Sequence, residues 1–377
     1  MRPKSGLKKR KALRNMPEFS CGFSDHPEVL RLRVAEKKFD ARSQISVVSM
    51  FAGCGGMDLG FAGGFSFLDK YYSKLPFHIL RALEIDDNAV ATYRLNMPHD
   101  VEVCDLTNID MATLPSADVL LGGFPCQDFS SCGPKTGFEG KRGRLYRVMV
   151  EYAELHKPGV IVAENVPHLA KLQEGRLLQE IVGDFEEVGY DVRVWTLYCP
   201  DYGLPQNRTR LIFVGVRKDI AAVAGRPSAP APAIFQRPVA IDDAIDDLES
   251  ITDETIPNQS QYFVATKATK GAGQGDQVSL RGQVAYAVRA NPKARVHFHY
   301  ELPRRLTVRE CARIQSFPDQ FVFPFSTSTN MMQIGNAVPP IIGHAVAEEI
   351  AHYLAAVRKK GIALQCDSSV EALAKHE

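Results

Sequence analysis

A thiol and a carboxyl group occupy positions in this sequence where together they could perform covalent catalysis. Cys126 follows Pro125 directly, where the apolar run that ends at Gly122 breaks into a loop. Glu164 ends another apolar run, which predicts that it lies at the same edge of a parallel sheet. A thiol beside a carboxyl group is typical of nucleophilic catalysis with proton transfer. The alternative is that Cys126 is a small buried apolar residue, as single cysteines usually are.

Two arginines follow later in the chain, at alternate positions of an extended segment. Arg208 and Arg210 lie within Gln206–Arg210, and the apolar run Leu211–Val216 begins directly after them. Alternate residues of a strand point to the same side, so the two guanidinium groups could act as fixed donors to carbonyl or phosphate oxygens. Surface salt bridges are the alternative.

A glycine-rich turn and two acidic residues indicate a pocket for an adenosine-bearing cofactor. The run Val47–Gly56 is an apolar strand that enters a turn with glycines at positions 53, 55 and 56. Glycine lets the backbone approach a ligand closely. Glu84 and Asp105 end two later strands, where an acid can hydrogen-bond a ribose diol. The turn has neither GxGxxG spacing nor a phosphate-binding lysine, so a tight turn without any ligand is the alternative.

These residues need a scaffold that brings the ends of strands together. From Ser46 onward, short apolar runs alternate with helical patterns, which predicts an α/β fold with a doubly wound, mostly parallel sheet. Several runs are apolar on both faces, as strands between two helical layers are. The predicted strands are Ile45–Phe51, Phe77–Ile85, Ala117–Gly122, Gly159–Ala163, Val192–Tyr198 and Leu211–Val216. An amphipathic helix is predicted at Ile341–Val357.

Composition limits the classes of function. The chain has 377 residues, of which 45% are hydrophobic, and a formal net charge of +1. Bulk charge therefore gives no reason to expect a nucleic-acid partner, and only local patches could. The eight cysteines show no pair or cluster at zinc spacing, which predicts no metal site and reduced thiols in the cytoplasm. No apolar run approaches the length of a membrane-spanning helix.

The second half of the chain differs from the first in composition and in charge. Residues 225–238 are rich in proline and alanine, which predicts a domain boundary. Residues 241–255 carry seven acids and no base, which indicates an exposed helix or a solvated linker. From Lys267 to Arg309, nine Lys or Arg stand against two acids. This basic module could follow a nucleic-acid groove. The basic stretch Arg2–Arg14 is interpreted as a solubilising tail.

Taken in order, the motifs resemble those of the DNA (cytosine-5) methyltransferases. The glycine turn is similar to the cofactor loop of that family, and Pro125-Cys126-Gln127 is similar to its catalytic segment. The other similar segments are Glu164-Asn165-Val166 (base-binding acid), Gln206–Arg210 (QxRxR motif), Arg304–Glu310 (organisation of target recognition) and Gln333–Pro339 (closing motif). The resemblance spans Ser46 to about Ala355.

The resemblance implies a covalent mechanism on a cytosine that is flipped out of the duplex. Cys126 adds to C6 of the ring, while Glu164 hydrogen-bonds N3 and the exocyclic amine. Arg208 and Arg210 hold the O2 edge and the sugar-phosphate. Gln127 is a further catalytic-site residue by the same resemblance. C5 then takes the methyl group from S-adenosylmethionine, and no metal is required.

The resemblance also implies how S-adenosylmethionine is bound. Phe51 lies against the adenine, Glu84 holds the ribose hydroxyls and Asp105 holds the adenine amine. The aromatic residue that the family has after the ribose acid is Ile85 here, which weakens one stacking contact. The expected cofactor-binding residues are Phe51, Gly53, Gly55, Gly56, Glu84, Ile85, Asp105, Pro125, Asn336 and Val338.

The implied organisation has five parts. They are a basic tail and lead-in (1–45), a catalytic and cofactor-binding domain (46–217), a linker and smaller target-recognition domain (218–303), a return segment with a C-terminal helix (304–357) and a tail (358–377). The implied partner is double-stranded DNA, bound by a monomer, and a companion restriction endonuclease is a candidate partner. A tRNA cytosine-5 methyltransferase of the same family and a noncatalytic DNA-binding protein remain as alternatives. The extra stretch Phe65–Pro76 has no assigned role.

Overall fold

Strands and helices alternate through the first two-thirds of the chain. The strands are β1 (Ile45–Met50), β2 (Phe65–Phe67), β3 (Lys70–Tyr72), β4 (Phe77–Glu84), β5 (Val101–Val103), β6 (Val119–Gly122), β7 (Val160–Asn165), β8 (Tyr190–Tyr198), β9 (Gln206–Asn207), β10 (Thr209–Arg217), β11 (Gln277–Val278), β12 (Ala285–Tyr286) and β13 (His297–Phe298). The α-helices are α1 (Gly56–Ala62), α2 (Asp87–Asn96), α3 (Arg147–His156), α4 (Arg176–Glu187), α5 (Lys218–Ala224), α6 (Ile241–Ile245), α7 (Val308–Ile314), α8 (Thr327–Asn336) and α9 (Pro340–Lys359).

A seven-stranded sheet forms the centre, in the order β5-β4-β1-β6-β7-β10-β8. The pairings from β5 to β7 are parallel, whereas β10 runs antiparallel to both β7 and β8. The carboxyl ends of the parallel strands therefore meet at one edge, where ligands bind in open α/β sheets. The prediction of an α/β fold with a mostly parallel sheet is confirmed.

Helices cover both faces of the sheet because its central strands are apolar on both sides. Val47 of β1 belongs to the core shared with α1, α2 and α9, and its neighbour Val48 belongs to the core shared with α3 and α4. Both side chains are fully buried. Successive residues of a strand point to opposite faces, so one run of valines serves two helical layers.

The segment 241–250 packs against the C-terminal part of the chain instead of standing free in solvent. Ile241, Ala244 and Ile245 of α6 are buried against α7. Its acids pair with arginines from neighbouring segments, as in Arg313 Nη1 to Asp247 Oδ1 at 2.5 Å. The expectation of an exposed helix therefore holds for the acidic face, where Asp243, Asp246 and Asp247 are exposed, but not for the apolar face, which is buried.

The computed structural model describes residues 43–125, 145–233, 235, 237–250, 277–290, 297–302 and 304–365. All of them belong to one compact unit, residues 36–377. Within the extra stretch Phe65–Pro76, β2 and β3 form a hairpin whose Tyr72 ring meets His344 of α9 edge-on, with the ring centroids 5.3 Å apart. No described helix combines the length and the apolar character needed to cross a membrane.

Candidate active site

A buried ion pair joins Glu164 to Arg210 at the carboxyl end of β7. Ile212 of β10 lies opposite Glu164, so Arg210, two residues earlier, is on the same face of the sheet. Arg210 Nε lies 2.5 Å from Glu164 Oε1. The two residues are only 8% and 7% exposed, respectively. Burial raises the pKa of Glu164 above its ordinary value, against the opposing attraction of Arg210 and Arg208. The carboxyl group therefore keeps a proton to higher pH than an exposed glutamic acid does.

The backbone that leads to the predicted nucleophile runs beside this carboxyl group. Gly122 of β6 is paired with Ala163 of β7, so the next residue, Gly123, is a neighbour of Glu164. A Cβ atom built on Gly123 lies 3.5 Å from Glu164 Oε2. The strand end before the loop thus runs next to the acid, with room for no more than a small side chain between them.

Asn165 fixes the position of that strand end. Its Nδ2 donates to the carbonyl oxygen of Phe124 at 3.0 Å, and its side chain is buried. Pro125 follows and is half-buried. Cys126 and Gln127 lie outside the described residues, so their roles remain predictions.

The four cysteines that the structure describes are poor candidates for a nucleophile. Burial raises the pKa of Cys54 to about 12 and that of Cys199 to about 11. Burial also raises the pKa of Cys311 far above its ordinary value, and that of Cys104 to a smaller degree. A thiol reacts as its thiolate, so these groups are inert near neutral pH.

Arg208 is engaged with backbone carbonyl oxygens. Its Nη1 donates to Val288 at 2.9 Å, and its Nη2 donates to Gly335 at 2.9 Å and Ala337 at 3.0 Å. Burial and repulsion from Arg210 lower the pKa of Arg208 to about 9. Its terminal nitrogens therefore hold two distant segments, at position 288 and at positions 335–337, against the strand that carries Arg208. Its contact with the substrate stays a prediction.

The glycine turn, residues 51–56, is joined to the carboxyl end of β4. Gly53 has a positive φ of 57°, and its N–H donates to Glu84 Oε2 at 2.8 Å. Glu84 Oε1 accepts from the N–H groups of Ile85 and Asp86, both at 2.9 Å. A Cβ atom built on Gly53 meets nothing within 4 Å. The turn thus borders open space beside an acid, which fits a ligand that bears a ribose.

The closing turn, residues 335–338, lies against the glycine turn. A Cβ atom built on Gly56 would come within 2.5 Å of the Val338 carbonyl oxygen. Only glycine allows this approach without a shift of the backbone. Val338 is buried and Asn336 is exposed. The structure thus brings two predicted cofactor segments together although they are far apart in sequence.

The remaining predicted cofactor residues lie near the ends of β1, β4 and β5. Phe51 is half-buried and has a positive φ of 55°. Ile85 is 62% exposed, as expected for an apolar residue at the rim of a pocket. Asp105 is exposed, and its carboxylate accepts from Thr107 and Asn108, which lowers its pKa. No described contact joins Asp105 to the glycine turn.

A buried carboxylate beneath the glycine turn was not predicted from the sequence. Asp58 of α1 accepts from Ser49 Oγ at 2.7 Å and from Tyr93 Oη at 2.8 Å. Burial raises the pKa of Asp58 to about 6. Its place in an otherwise apolar helix, two residues after a glycine pair, was the available signal.

Two glutamines, Gln206 and Gln315, form a second buried polar group that was not predicted. Gln206 was noted only as part of its motif, and Gln315 lies between Ile314 and Ser316 in a segment of mixed polarity. Among the described residues, no group of three or more His, Cys, Asp or Glu side chains is arranged to hold a metal ion.

Comparison with known proteins agrees with this geometry. Residues 45–273 and 245–352 match the family described as C-5 cytosine-specific DNA methylase. Type II methyltransferase M1.HphI of Haemophilus parahaemolyticus is 32% identical over 338 residues, which cover 81% of this chain and 86% of that protein. Type II methyltransferase M.NlaX of Neisseria lactamica is 32% identical over 329 residues, which cover 84% of this chain and 99% of that protein.

Solved structures share the fold at lower identity. The Entamoeba histolytica methyltransferase EhMeth aligns with a TM-score of 0.61 at 17% identity, covering 82% of this chain and 99% of that chain. The S. pombe Dnmt2 methyltransferase aligns with a TM-score of 0.56 at 15% identity, covering 83% of this chain and 99% of that chain. The family match spans well over half of the chain. The chain therefore belongs to the C-5 cytosine-specific DNA methylase family and is a DNA cytosine-5 methyltransferase whose methyl donor is S-adenosylmethionine.

Proposed function

We propose that this enzyme methylates C5 of a cytosine flipped out of double-stranded DNA, with Cys126 as a covalent nucleophile. The observation that carries the proposal is the buried Glu164–Arg210 pair beside the strand end that leads to Cys126. A carboxyl group whose pKa is raised by burial can donate a proton to a ring nitrogen near neutral pH. This property suits an acid that must bind N3 of cytosine.

The covalent step starts when the Cys126 thiolate adds to C6, forming an Sγ–C6 bond. Electron density then moves toward N3 and C5. Protonated Glu164 donates to N3, and its other oxygen accepts from the exocyclic amine, which stabilises that density. Once C5 carries the methyl group, its proton leaves to a base, the Sγ–C6 bond breaks and the thiolate is restored.

Arg210 and Arg208 have different roles in this proposal. Arg210 contacts Glu164 directly, which supports a role in holding the acid. We also assign the O2 edge of the base to Arg210. Arg208 is tied to three carbonyl oxygens, which supports a positioning role.

The residues around the glycine turn fit S-adenosylmethionine, which supplies a methyl group on a positively charged sulfur. The open space at Gly53 leaves room for the ligand beside the turn. The Glu84 carboxylate has about four acceptor sites. Three of them accept backbone N–H groups, so one remains for a ribose hydroxyl. We assign the binding of the adenine ring to Phe51, Ile85 and Asp105.

Target recognition is assigned to the linker and smaller domain, residues 218–303. The support is local: within it, β12 pairs with β9 directly before the QxRxR arginines. The residues that read the bases would then be linked to the strand that carries the catalytic arginines through the pairing of β12 with β9. We also propose that the enzyme acts as a cytoplasmic monomer. A companion restriction endonuclease is proposed because the curated relatives are named Type II methyltransferases.

The decisive experiment offers tritium-labelled S-adenosylmethionine with unmethylated genomic DNA or with bulk tRNA, to the wild type and to Cys126→Ser. We expect label in DNA as 5-methylcytosine with the wild type and none with the variant. Label in tRNA alone would contradict the DNA substrate. Label in neither would contradict catalysis and favour a binding role, and label in DNA with the variant would contradict the role of Cys126.

A further inference from the structure

Two buried glutamines form a chain of hydrogen bonds that runs in one direction. The Val288 N–H donates to Gln206 Oε1 at 3.0 Å, and Gln206 Nε2 donates to Gln315 Oε1 at 2.5 Å. Gln315 Nε2 then donates to the Ala337 carbonyl oxygen at 2.7 Å. Gln206 Nε2 also donates to Ile314 O at 2.8 Å. Both side chains are 0% exposed, so each amide must be satisfied within the protein.

The orientation of the two amides follows from their neighbours. A flipped Gln206 would turn its NH₂ group toward the Val288 N–H and its oxygen toward the Ile314 carbonyl. Both contacts would be repulsive and buried. In the observed orientation each amide accepts at its oxygen and donates at its nitrogen, so the bonds polarise one another in the same direction.

The two ends of this series of hydrogen bonds lie in two segments that are expected to bind different ligands. Val288 belongs to the β12 segment, residues 285–290, in the proposed target-recognition region. Ala337 belongs to the closing turn, whose Val338 carbonyl oxygen faces Gly56 of the glycine turn. One buried amide pair therefore spans the distance between the segment expected to meet DNA and the segments expected to meet the cofactor.

Direct contacts hold the same two segments together. Arg208 donates to the carbonyl oxygens of both Val288 and Ala337. A Cβ atom built on Gly335 would lie 2.3 Å from the Ala290 nitrogen, so the two backbones touch. The β12 segment cannot shift against the closing turn unless it breaks these buried hydrogen bonds, and each buried group left without a partner is costly.

We propose that Gln315 is a positioning residue that couples DNA binding to cofactor binding. The proposal rests on the proposed function, which supplies the two ligands. A ligand that orders one of the two segments also orders the other through Gln315, so the second ligand loses less conformational freedom when it binds. By linkage, each ligand then raises the affinity for the other by the same factor.

The test measures the affinity for S-adenosylhomocysteine by calorimetry, with and without saturating unmethylated plasmid DNA. We expect DNA to tighten binding to the wild type by at least about 5-fold, the lower end of typical coupling. In Gln315→Met, which keeps the side-chain length but removes both polar atoms, the ratio should fall by at least about twofold. Part of the coupling should remain because Arg208 still holds both segments. The matched control is Thr92→Val in α2, because the Thr92 hydroxyl is also buried, has no hydrogen-bond partner among the described residues and lies outside both segments. It should keep the wild-type ratio.

Two results would overturn the proposal: a wild-type ratio near unity, or a Gln315→Met variant that keeps the wild-type ratio. Thermal unfolding checks that the variants are folded at the assay temperature. If Gln315→Met does not fold, Gln206→Met interrupts the same series of hydrogen bonds at its other end. The affinity ratio must then fall by the same amount. Neither ligand is turned over in this assay, so its result is separate from the methyl-transfer assay. Normal methyl transfer by a variant with an unchanged ratio would refute the coupling and leave the proposed function intact.

Discussion

Replacement of Asp58 by asparagine should stabilise the protein at neutral pH and leave it almost unchanged in acid. Asp58 is 1% exposed and accepts hydrogen bonds from two neutral hydroxyls, Ser49 Oγ and Tyr93 Oη. Neither hydroxyl compensates the charge, and desolvation raises the pKa of Asp58 from the ordinary 3.8 to about 6. The protonated form is therefore the one that the folded state prefers.

The sign and size of the effect follow from linkage. Because the folded pKa is raised, the stability associated with the protonated form is complete below pH 3.8 and is lost as the pH rises through about 6. A shift of about two units at about 1.4 kcal/mol per unit amounts to about 3 kcal/mol. Asparagine resembles the protonated acid and can still bond both hydroxyls if Tyr93 Oη becomes the acceptor. The variant should thus gain about 1 kcal/mol at pH 4.5 and about 3 kcal/mol at pH 8.

The assay is urea unfolding of the wild type and Asp58→Asn at pH 4.5, 6 and 8. The control, Asp69→Asn, changes an exposed carboxylate and should shift the unfolding free energy by less than about 0.5 kcal/mol at each pH. A difference between Asp58→Asn and the wild type that does not grow with pH would refute the reasoning. A variant that is less stable than the wild type at pH 8 would refute it too.

Three further substitutions test the site. Glu164→Gln should lower kcat about 10²–10⁴-fold in the methyl-transfer assay, and activity within tenfold of the wild type would contradict its role. Asn165→Ala removes the hydrogen bond to the Phe124 carbonyl oxygen and should reduce kcat. The affinity for S-adenosylhomocysteine, measured by calorimetry, should stay the same. An unchanged kcat would show that this hydrogen bond does not position the strand end. Gly56→Ala should weaken S-adenosylhomocysteine binding and lower the Tm because its Cβ meets the Val338 carbonyl oxygen. The control, Gly183→Ala, should bind S-adenosylhomocysteine normally because its Cβ meets nothing within 4 Å. Equal behaviour of the two variants would count against the close approach of Gly56 to Val338.

The central strands could be predicted from the sequence because they are short runs rich in apolar residues. The predicted runs at 45–51, 77–85 and 211–216 correspond to β1, β4 and β10 with shifts of one or two residues at their ends. The short pair β9 and β12 could not be predicted, since two residues carry no periodicity and their pairing joins distant parts of the chain.

The candidate site could be predicted only as a set of strand ends. The sequence indicated that Glu164 lies at the catalytic edge, but its ion pair with Arg210 depends on the antiparallel register of β7 and β10. The carbonyl contacts of Arg208 depend on segments about 80 and 130 residues away in the chain, near positions 288 and 336. Gln315 could not be singled out, because it lies in a segment of mixed polarity and nothing local shows which buried partners satisfy a side-chain amide.

The most direct test of the account is covalent capture of the enzyme on DNA that contains 5-fluorocytosine, in the presence of S-adenosylmethionine. Fluorine at C5 cannot leave as the proton does, so the Sγ–C6 bond should persist once the methyl group is transferred. Digestion and mass spectrometry should then find the modified base on the peptide that contains Cys126, and Cys126→Ser should form no adduct. An adduct on another cysteine, such as the half-buried Cys104, or methylation of ordinary DNA without any adduct on the fluorinated DNA, would contradict the account.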